Sequence, residues 1–417
     1  MSFLKLSLAA LLAAGASAAP VDEPYPPSGT AGGMVASSYF AGFHADEGFP
    51  VSSIPWEKYT DVKYAFAETN PDGTLNLSKA APDQIPGFVA AAHAHNVKAL
   101  ISLGGWTGSR FFSSAIATPE NRTAFVKTAL DLVAQYDLDG LDFDWEYPNR
   151  QGLGCNVINA NDTANFALFL QELRQQQPKQ LYLTAATSLF PWNDATGAAS
   201  TNGALAPFAQ SLDYLMVMGY DIYGAWASTG GPNAPLAFAC DPRNNQGGIE
   251  EGVNKWIAAG IPAEKIALGV AAYGHSFSVN STNAFTAPGV LNAYPPQNSS
   301  NRLQGGSWDN DPPVDECGNP QPHSGTYTFS SMITEAMFLD TSGNPSAGIA
   351  SGYDNCSQTP FLYDEARQIW VSYDDVKSLG VKGQYIQSNK MAGFTMYETG
   401  GDYNNILLDA IRSGVGL

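Results

Sequence analysis

The sequence predicts an α/β fold, a closed (β/α)8 TIM barrel interrupted by one small inserted domain. Short apolar, β-branched segments alternate with longer segments of helical periodicity, which is typical of βαβ units and a parallel sheet. Eight such apolar segments occur, and eight strands with intervening helices favour a closed barrel. An open doubly wound sheet is disfavoured, because the sequence lacks the Gly-rich turn of dinucleotide-binding folds.

The predicted strands lie near residues 34–40, 61–66, 98–103, 140–147, 181–186, 214–220, 266–273 and 391–397. Helices are predicted over 83–95, 119–136, 162–176 and 249–259, with a last one around 374–379. Pro119 followed by Glu120 is a typical helix start, and Gly260 is typical of the position just past a helix end.

The strand–helix pattern breaks between residues 278 and 363. This stretch is rich in Asn, Ser, Gly and Pro, and it is too long for a plain connection between a strand and a helix. We therefore predict an insertion domain over 278–363, between strands seven and eight of a barrel formed by 34–277 and 364–417. Two further strand candidates, 325–329 and 369–372, lie within it and just after it.

The composition is acidic and rich in apolar residues. The 417 residues include 20 Lys and Arg against 39 Asp and Glu, for a formal net charge of −19, and 44% of them are hydrophobic. That apolar fraction excludes a disordered chain, and the negative charge argues against nucleic acids and anionic membranes as partners. We expect a neutral or cationic ligand, no cofactor and a monomeric protein.

Residues 1–18 are predicted to be a signal peptide. Lys5 supplies its positive charge, 6–14 form an apolar run too short to span a bilayer, and Ala16-Ser17-Ala18 matches a cleavage site. No later segment is suited to be an anchor, so a secreted, extracellular protein is predicted. Six Asn-x-Ser/Thr glycosylation triplets agree with that route, at Asn76, Asn121, Asn161, Asn280, Asn298 and Asn355.

Four cysteines favour two disulfide bonds in an oxidising compartment, and three pairings are possible. Cys155 and Cys240 follow predicted strands four and six on the same barrel face, whereas Cys317 and Cys356 both lie in the insertion. We therefore predict the bonds Cys155–Cys240 and Cys317–Cys356. No two cysteines are close enough in sequence to form a zinc ligand pair, and no metal site is predicted.

Three carboxylates alternate along the fourth predicted strand, at Asp142, Asp144 and Glu146. Because successive side chains of a strand point to opposite faces, these three share one face and the bulky residues between them share the other. In a barrel, the bulky set packs against the helices, and the acids point inward near the carboxyl end of the strand. Barrel enzymes have their active sites at that end.

Such a row of acids is unfavourable unless protons are shared. Like charges roughly 7 Å apart repel by about 2 kcal/mol at an effective dielectric constant near 20, so at least one pKa is raised. A carboxyl that stays protonated near neutral pH can act as a general acid, and Glu146 is nearest the mouth. A solvated strand face is disfavoured because the opposite face is apolar throughout. A calcium site is disfavoured because a strand splays its acids, whereas a calcium loop curls them around the ion.

These residues resemble the glycoside hydrolase family 18 chitinases, whose Asp-x-x-Asp-x-Asp-x-Glu signature matches Asp139, Asp142, Asp144 and Glu146. Other segments resemble that family's motifs in the same order along the chain: Ser102-Leu103-Gly104-Gly105-Trp106, Met218-Gly219-Tyr220-Asp221, Ala272-Tyr273-Gly274-His275 and Gly393-Phe394-Thr395-Met396-Tyr397. The resemblance covers nearly all of the chain after the signal peptide. It implies a secreted, fungal-type chitinase of the subfamily whose insertion is an α+β domain.

The resemblance also implies a retaining mechanism in which the substrate supplies the nucleophile. Glu146 would protonate the glycosidic oxygen, and the 2-acetamido oxygen of the sugar would attack its own anomeric carbon. Asp144 would bind the acetamido nitrogen, Asp142 would hold or share a proton with Asp144, and Tyr220 would steady the acetamido oxygen.

By the same resemblance, flat aromatic and polar side chains line a saccharide cleft. The implied substrate-binding residues are Phe40, Gly105, Trp106, Tyr147, Met218, Asp221, Trp226, Tyr273 and Tyr397. Two positions depart from the family pattern, because Tyr397 stands where Trp is usual and His275 stands where many relatives carry Arg. Neither change removes a residue of the implied catalytic set.

The predicted function is hydrolysis of β-1,4 linkages in chitin and chito-oligosaccharides. One alternative is a non-catalytic chitin-binding lectin of the same fold, in which the acid residue is normally replaced. Another is an endo-β-N-acetylglucosaminidase acting on N-glycan cores, although such enzymes usually lack the insertion.

Overall fold

The computed structural model describes residues 33–177, 179–309 and 313–417. The predicted signal peptide, 1–18, lies outside the described residues. None of the helices in those ranges combines the length and the apolar composition that a membrane crossing requires.

Eight parallel strands form a closed barrel in the described part of the chain. They are β1 (Val35–Ala41), β2 (Asp61–Thr69), β3 (Lys98–Gly104), β4 (Gly140–Asp144), β5 (Tyr182–Thr187), β6 (Tyr214–Met218), β7 (Ile266–Ala271) and β8 (Gly393–Tyr397). Each strand pairs in parallel with its neighbours, and β1 pairs with both β2 and β8, which closes the sheet. The predicted (β/α)8 barrel is therefore confirmed. A short strand, Leu75–Asn76, adds an antiparallel pair to the end of β2.

Seven α-helices surround the barrel in the described ranges. They are α1 (Ile85–Ala94), α2 (Pro119–Tyr136), α3 (Asp162–Gln176), α4 (Ala206–Ser211), α5 (Ile249–Ala259), α6 (Val376–Ser388) and α7 (Ile406–Val415). After β1 the chain forms the 3₁₀ turns Gly42–Glu47, Val51–Ser53 and Trp56–Lys58 instead of an α-helix. Further helical segments of three to six residues occur at Pro82–Gln84, Gly105–Gly108, Ser109–Phe111, Phe112–Ala115, Ala263–Lys265, Ser281–Ala284, Phe329–Thr334 and Thr399–Gly401.

Local sequence explains where several helices begin and end. The Thr118 side chain accepts a hydrogen bond from the Asn121 backbone at the start of α2, where Pro119 occupies the first turn. Asp375 and Ser378 form a reciprocal capping box at the start of α6. Gly260 ends α5 in the left-handed region, with φ of 112°. The helix around 374–379 is longer than predicted and continues to Ser388.

Two apolar layers follow from the alternation of the barrel strands. Outward-facing residues such as Phe143 pack against α3, where Phe143 meets Phe166 and Phe169 edge to face. Inward-facing residues, among them Tyr39 and Met216, fill the barrel interior. The acids of β4 belong to this inward set, as their parity predicts.

The second sheet is antiparallel, and its strands lie in the order Thr326–Thr328, Tyr273–Ser278, Ile369–Ser372, Thr359–Asp364 and Ala350–Asp354. A hairpin, Phe285–Ala287 with Val290–Leu291, lies in the same part of the chain. The predicted strands near 325–329 and 369–372 are both present in this sheet. The strands of this sheet extend along the chain from Tyr273 to Ser372, and the predicted insertion, 278–363, lies within those limits.

The predicted disulfide pairing was wrong, since the bonds join Cys155 to Cys317 and Cys240 to Cys356. Each bond connects a barrel loop with the insertion, because the insertion packs on the barrel loops and brings its cysteines beside theirs. Lys79 and Arg110 of the barrel loops also pair with Glu316, next to Cys317. The insertion is therefore held to the barrel by covalent and ionic links.

Candidate active site

The strand that carries the acids is shorter than predicted. β4 ends at Asp144, so Glu146 lies in the loop just past the strand. The Glu146 backbone N–H donates to Ser109 Oγ at 2.9 Å, and Asn156 Nδ2 donates to the Glu146 carbonyl at 2.8 Å. Ser109 and Asn156 therefore position the backbone of Glu146, and no local motif in the sequence indicated either residue.

Close packing of β3 against β4 also depends on one glycine. Gly104 has φ of 105°, and a Cβ on it would lie 2.2 Å from the Asp144 carbonyl oxygen. Any larger residue there would push the end of β4 out of place.

Asp142 is fully buried and accepts three side-chain hydrogen bonds. Its Oδ2 accepts from the Tyr39 hydroxyl at 2.8 Å and from Ser102 Oγ at 2.7 Å. Its Oδ1 accepts from Thr184 Oγ1 at 2.5 Å. These donors come from β1, β3 and β5, so the barrel interior holds Asp142 in one orientation below the cleft.

Asp144 lies between Asp142 and Glu146 and is 5% exposed. Its Oδ1 atom is buried and has no hydrogen-bond partner in the described part of the chain. Burial raises the pKa of Asp144 well above its usual value, and the Glu146 and Asp142 carboxyls raise it further. The group is therefore costly to ionise unless a positive charge or an N–H donor faces it.

Glu146 is the outermost acid and faces the cleft. Its pKa is raised to about 7, mainly by burial and also by the Asp221 carboxylate, while a hydrogen bond with Tyr147 and the charge of Arg150 oppose the shift. At neutral pH a substantial fraction of Glu146 is therefore protonated, which suits a proton donor.

The acids lie in a cleft of about 810 Å³ at the carboxyl ends of the barrel strands. Trp106 and Trp226 follow β3 and β6 into this cleft, with 49% and 55% of their surfaces exposed. Exposed apolar surface gathered in a cleft is typical of a ligand-binding groove, and sugar rings have apolar faces that fit such platforms.

Three tyrosines form a packed group beside the acids. The Tyr220 ring lies 5.8 Å from Tyr273 and 6.4 Å from Tyr397, between ring centres. Burial raises the pKa of all three hydroxyls well above the usual value, so each is a neutral group that can donate a hydrogen bond.

Asp221 connects this group to the insertion. Its Oδ1 accepts from the Tyr273 hydroxyl at 2.8 Å and lies 2.7 Å from His275 Nε2. Its backbone adopts the left-handed region, with φ of 58°, and the Asp221 N–H donates to Asn233 Oδ1 at 3.0 Å. The His275 ring also contacts Trp226 edge to face, with ring centres 5.2 Å apart.

Most of the predicted site residues line this one cleft: Trp106, Asp144, Glu146, Tyr147, Met218, Tyr220, Asp221, Trp226, Tyr273 and Tyr397. Asp142 lies beneath it. Gly105 does not line it, and a Cβ on Gly105 would contact the Phe66 ring at 3.1 Å.

The prediction for Phe40 was wrong. Phe40 faces outward and stacks on Phe88 of α1 with ring centres 5.8 Å apart, because the alternation of β1 turns its neighbour Tyr39 inward. Tyr39 lines the cleft and donates a hydrogen bond to Asp142. Tyr39 lies two residues after the polar Ser37, so both face the same side of β1, and this alternation could have identified Tyr39 as a cleft residue.

The sequence prediction also missed Phe66, Phe190 and Trp308, which line the cleft. Folding of distant segments places these three rings there.

In the described ranges, no cluster of three or more His, Cys, Asp or Glu side chains is arranged to hold a metal ion.

Comparison with known proteins agrees with this geometry. The sequence model described as "Glycosyl hydrolases family 18" matches residues 36–402, which include the barrel, the insertion and all three acids. The chain belongs to this family.

Family 18 relatives resemble the chain over most of its length. A "chitinase-like effector" of Moniliophthora roreri is 45% identical over 93% of this chain and 94% of that protein. "Chitinase A1" of Niallia circulans is 30% identical over 76% of this chain and 42% of that protein. The crystal structure of a chitinase from Rhizomucor miehei matches with a TM-score of 0.82 and 32% identity, over 92% of this chain and 100% of that one.

Proposed function

We propose that the protein is a chitinase that hydrolyses β-1,4 bonds between N-acetylglucosamine units with retention of configuration. The observation that carries the proposal is the pair Asp144 and Glu146. Glu146 holds a proton near neutral pH at the wall of an aromatic cleft. Asp144 beside it has a buried oxygen with no hydrogen-bond partner in the described part of the chain.

In the first step, Glu146 donates its proton to the glycosidic oxygen. The bond between that oxygen and the anomeric carbon breaks, and the leaving sugar departs with a new hydroxyl. The 2-acetamido oxygen of the remaining sugar bonds to the anomeric carbon and gives an oxazolinium ion. No enzymic nucleophile is required, which agrees with family 18 being an exception among retaining glycosidases.

Asp144 stabilises that ion. Its unpartnered Oδ1 is free to accept a hydrogen bond from the acetamido N–H, and its negative charge offsets the positive charge of the ring. Asp144 acts in its charged form throughout this step, and the burial that raises its pKa leaves that charge uncompensated until the oxazolinium ion forms beside it. The Tyr220 hydroxyl is a neutral donor suited to the acetamido oxygen.

In the second step, Glu146 acts as the base. It removes a proton from water, the water oxygen attacks the anomeric carbon on the face that the first sugar left, and the acetamido oxygen departs. Glu146 is then protonated again, and two displacements at the same carbon retain its configuration.

A chitin-binding function without catalysis is the second candidate. The relative from Moniliophthora roreri, at 45% identity, is called a "chitinase-like effector" and not a chitinase. A protein of that kind would use the same aromatic cleft to hold the oligosaccharide and leave the bond intact. The presence of Glu146, Asp144 and Asp142 together favours catalysis in this chain.

The deciding experiment incubates the purified protein with a fluorogenic chitotrioside and with N-acetylchitohexaose. We expect release of the fluorophore and of shorter oligosaccharides, and a loss of turnover of about 10²–10⁴-fold or more in Glu146→Gln. Calorimetric binding of the hexamer without any cleavage would support the second candidate. Equal turnover in both proteins would remove Glu146 from its role.

We also propose that the protein acts outside the cell. Two disulfide bonds, at Cys155–Cys317 and Cys240–Cys356, are typical of proteins that fold in oxidising compartments. Detection of the protein in culture medium of the producing cells, with residues 1–18 removed, is the expected result.

A further inference from the structure

A fully buried ion pair lies inside the barrel, below the row of acids. Lys63 Nζ is 3.0 Å from Asp61 Oδ1, and both side chains of this β2 pair are closed off from solvent. The Lys63 ammonium also donates to Ser37 Oγ at 2.6 Å and to the Tyr214 hydroxyl at 2.6 Å. An ammonium group has three N–H donors, so these three acceptors satisfy it completely.

The carboxylate of the pair is equally well supplied with donors. Asp61 Oδ1 accepts from Ser37 Oγ at 2.6 Å and from the Tyr214 hydroxyl at 2.9 Å, and its Oδ2 accepts from Thr60 Oγ1 at 3.0 Å. The network therefore joins β1, β2 and β6. A buried ion pair is weak evidence for stabilisation, because the loss of hydration offsets the attraction between the charges. Its position relative to the acids is the more informative feature.

Strand register places this pair directly below the acids. Lys63 pairs with Leu100 of β3, which lies two residues before Ser102, and Ser102 pairs with Asp142 of β4. Lys63 is therefore one inward-facing layer below Asp142, and Asp61 is one layer lower again. Because the strands run toward the cleft, the positive end of the ion pair faces the acids.

Tyr39 connects the two layers. Lys63 Nζ lies 5.3 Å from the centre of the Tyr39 ring, which is within the range of a cation–π contact. The Tyr39 hydroxyl donates to Asp142 Oδ2 at 2.8 Å. Burial raises the pKa of Tyr39 well above its usual value, and Asp142 and Asp144 raise it further, so the hydroxyl stays a neutral donor. Tyr39 is thus supported from below by a cation and donates upward to an acid.

We propose that Lys63, paired with Asp61, is a positioning residue for hydrolysis and acts through Tyr39 on Asp142. The role in hydrolysis rests on the proposed function, whereas the ion pair and its contact with Tyr39 are features of the barrel itself. Lys63 holds the Tyr39 ring so that its hydroxyl stays on Asp142, which lies beneath Asp144 on the same face of β4. Since Lys63 is buried below the cleft, its loss changes turnover and not substrate binding.

The test uses a paired substitution and steady-state kinetics with the fluorogenic chitotrioside. Lys63→Met alone leaves the Asp61 carboxylate buried without its ammonium, so Asp61→Asn combined with Lys63→Met removes both charges together. We expect kcat to fall about 3- to 10-fold, which is the size of one cation–π contact, and KM to stay within about twofold. If the paired variant does not fold, Lys63→Gln, which keeps N–H donors for Asp61, replaces it with the same expectation.

A double-mutant cycle separates this route from a general structural effect. In a Tyr39→Phe background, the paired substitution should lower kcat by less than about twofold, because the hydroxyl through which Lys63 acts is already absent. A purely structural role would lower kcat by the same factor in both backgrounds. Urea denaturation of each variant shows that the proteins compared are folded.

A second buried ion pair supplies the matched control. Lys382 Nζ of α6 lies 2.6 Å from Asp374 Oδ1, and both side chains are fully buried and do not line the cleft. Asp374→Asn combined with Lys382→Met removes the same two charges elsewhere in the protein. This variant should keep the kcat of its parent, with and without Tyr39→Phe.

Three results would overturn the proposal. The first is an unchanged kcat in the Asp61 and Lys63 variant, the second is a loss of equal size in the Tyr39→Phe background, and the third is the same loss in the control pair. A parent protein that hydrolyses no chitotrioside refutes the proposed function, and the role of Lys63 in hydrolysis with it. The activity of the parent therefore distinguishes the two failures.

Discussion

The hydroxyl of Tyr39 donates a 2.8 Å hydrogen bond to Oδ2 of Asp142 at the centre of the barrel. Both side chains are buried, and the bond joins β1 to β4 across the barrel interior. With Ser102 and Thr184 as further donors, Asp142 accepts three side-chain hydrogen bonds from the protein. The Asp142 side chain is thus held in place beneath Asp144, where it contributes to the raised pKa of Asp144.

Replacing Tyr39→Phe should therefore affect both stability and catalysis. Removing one donor from a buried carboxylate should lower the free energy of unfolding by about 1–3 kcal/mol, and kcat should fall several-fold as Asp142 and Asp144 shift. Urea denaturation and steady-state kinetics measure the two effects. Tyr59→Phe is the matched control, because its hydroxyl is buried but lies 3.2 Å from neutral Thr399. An unchanged kcat in Tyr39→Phe would contradict the positioning role.

The activity should decline as the pH rises through about 7. Glu146 must be protonated to act as the acid, and burial raises its pKa to about 7. The quantity to measure is kcat/KM for the fluorogenic chitotrioside between pH 4 and pH 9, with thermal unfolding at each pH as the control. A flat profile up to pH 9 would show that Glu146 is not the group whose protonation limits the reaction.

The same shift predicts a pH-dependent stability. The pKa of Glu146 is raised from 4.5 to about 7 in the folded protein, so ionisation costs more in the folded than in the unfolded state. The stability that depends on Glu146 is therefore fully present below about pH 4.5, falls as the pH rises from 4.5 to about 7, and does not change further above that range. Glu146→Gln cannot ionise and should be more stable than the parent at pH 8, by on the order of 1–3 kcal/mol, but not at pH 4.

Urea denaturation of both proteins at the two pH values measures this difference. Glu264→Gln, at an exposed position in the loop before β7, is the control and should change stability by less than about 0.5 kcal/mol at either pH. A Glu146→Gln protein with the same advantage at pH 4 as at pH 8 would show that the effect comes from packing and not from ionisation.

Cleavage should require the N-acetyl group. Since the acetamido oxygen is the proposed nucleophile, N-acetylchitohexaose should be hydrolysed, and the fully deacetylated hexamer should remain intact under the same conditions. Mass spectrometry of the products at fixed times measures both. Comparable cleavage of the two hexamers would rule out participation of the acetamido group.

The disulfide bonds should couple the insertion to the barrel. Peptide mapping without reduction should recover the linked peptides Cys155–Cys317 and Cys240–Cys356. The bonds close segments of 162 and 116 residues, so removing either pair by paired Cys→Ser substitution should cost about 4–5 kcal/mol in the chain-entropy description. A peptide linking Cys155 to Cys240 would contradict the structure.

Local pattern was sufficient to predict the barrel and the row of acids. The alternation of Asp142 and Asp144 with Phe143 identifies the inward face of β4, because the period of a strand is two residues and depends on nothing distant. The start of α2 and the end of α5 follow equally from short-range signals, at Pro119 and Gly260. Asp144 and Glu146 were likewise predicted to lie close together because they are only two positions apart in the chain.

Most of the failures concern contacts between distant segments, whereas the assignment of Phe40 was a local error of strand parity. Phe40 was assigned to the cleft without regard to the parity of β1, and the cysteines were paired within each part of the chain and not between them. No sequence pattern predicted that Trp308 lines the cleft, because His44, which it contacts, is more than 200 residues away in sequence.

The sequence by itself thus determined the barrel, the family and the acids, because strand alternation, helix capping and short motifs act over a few residues. Only the tertiary structure decided the disulfide pairing, the donors around Asp142 and the rings that wall the cleft. Those features depend on how the insertion packs against the barrel loops, and packing between distant segments leaves no periodic trace in the chain.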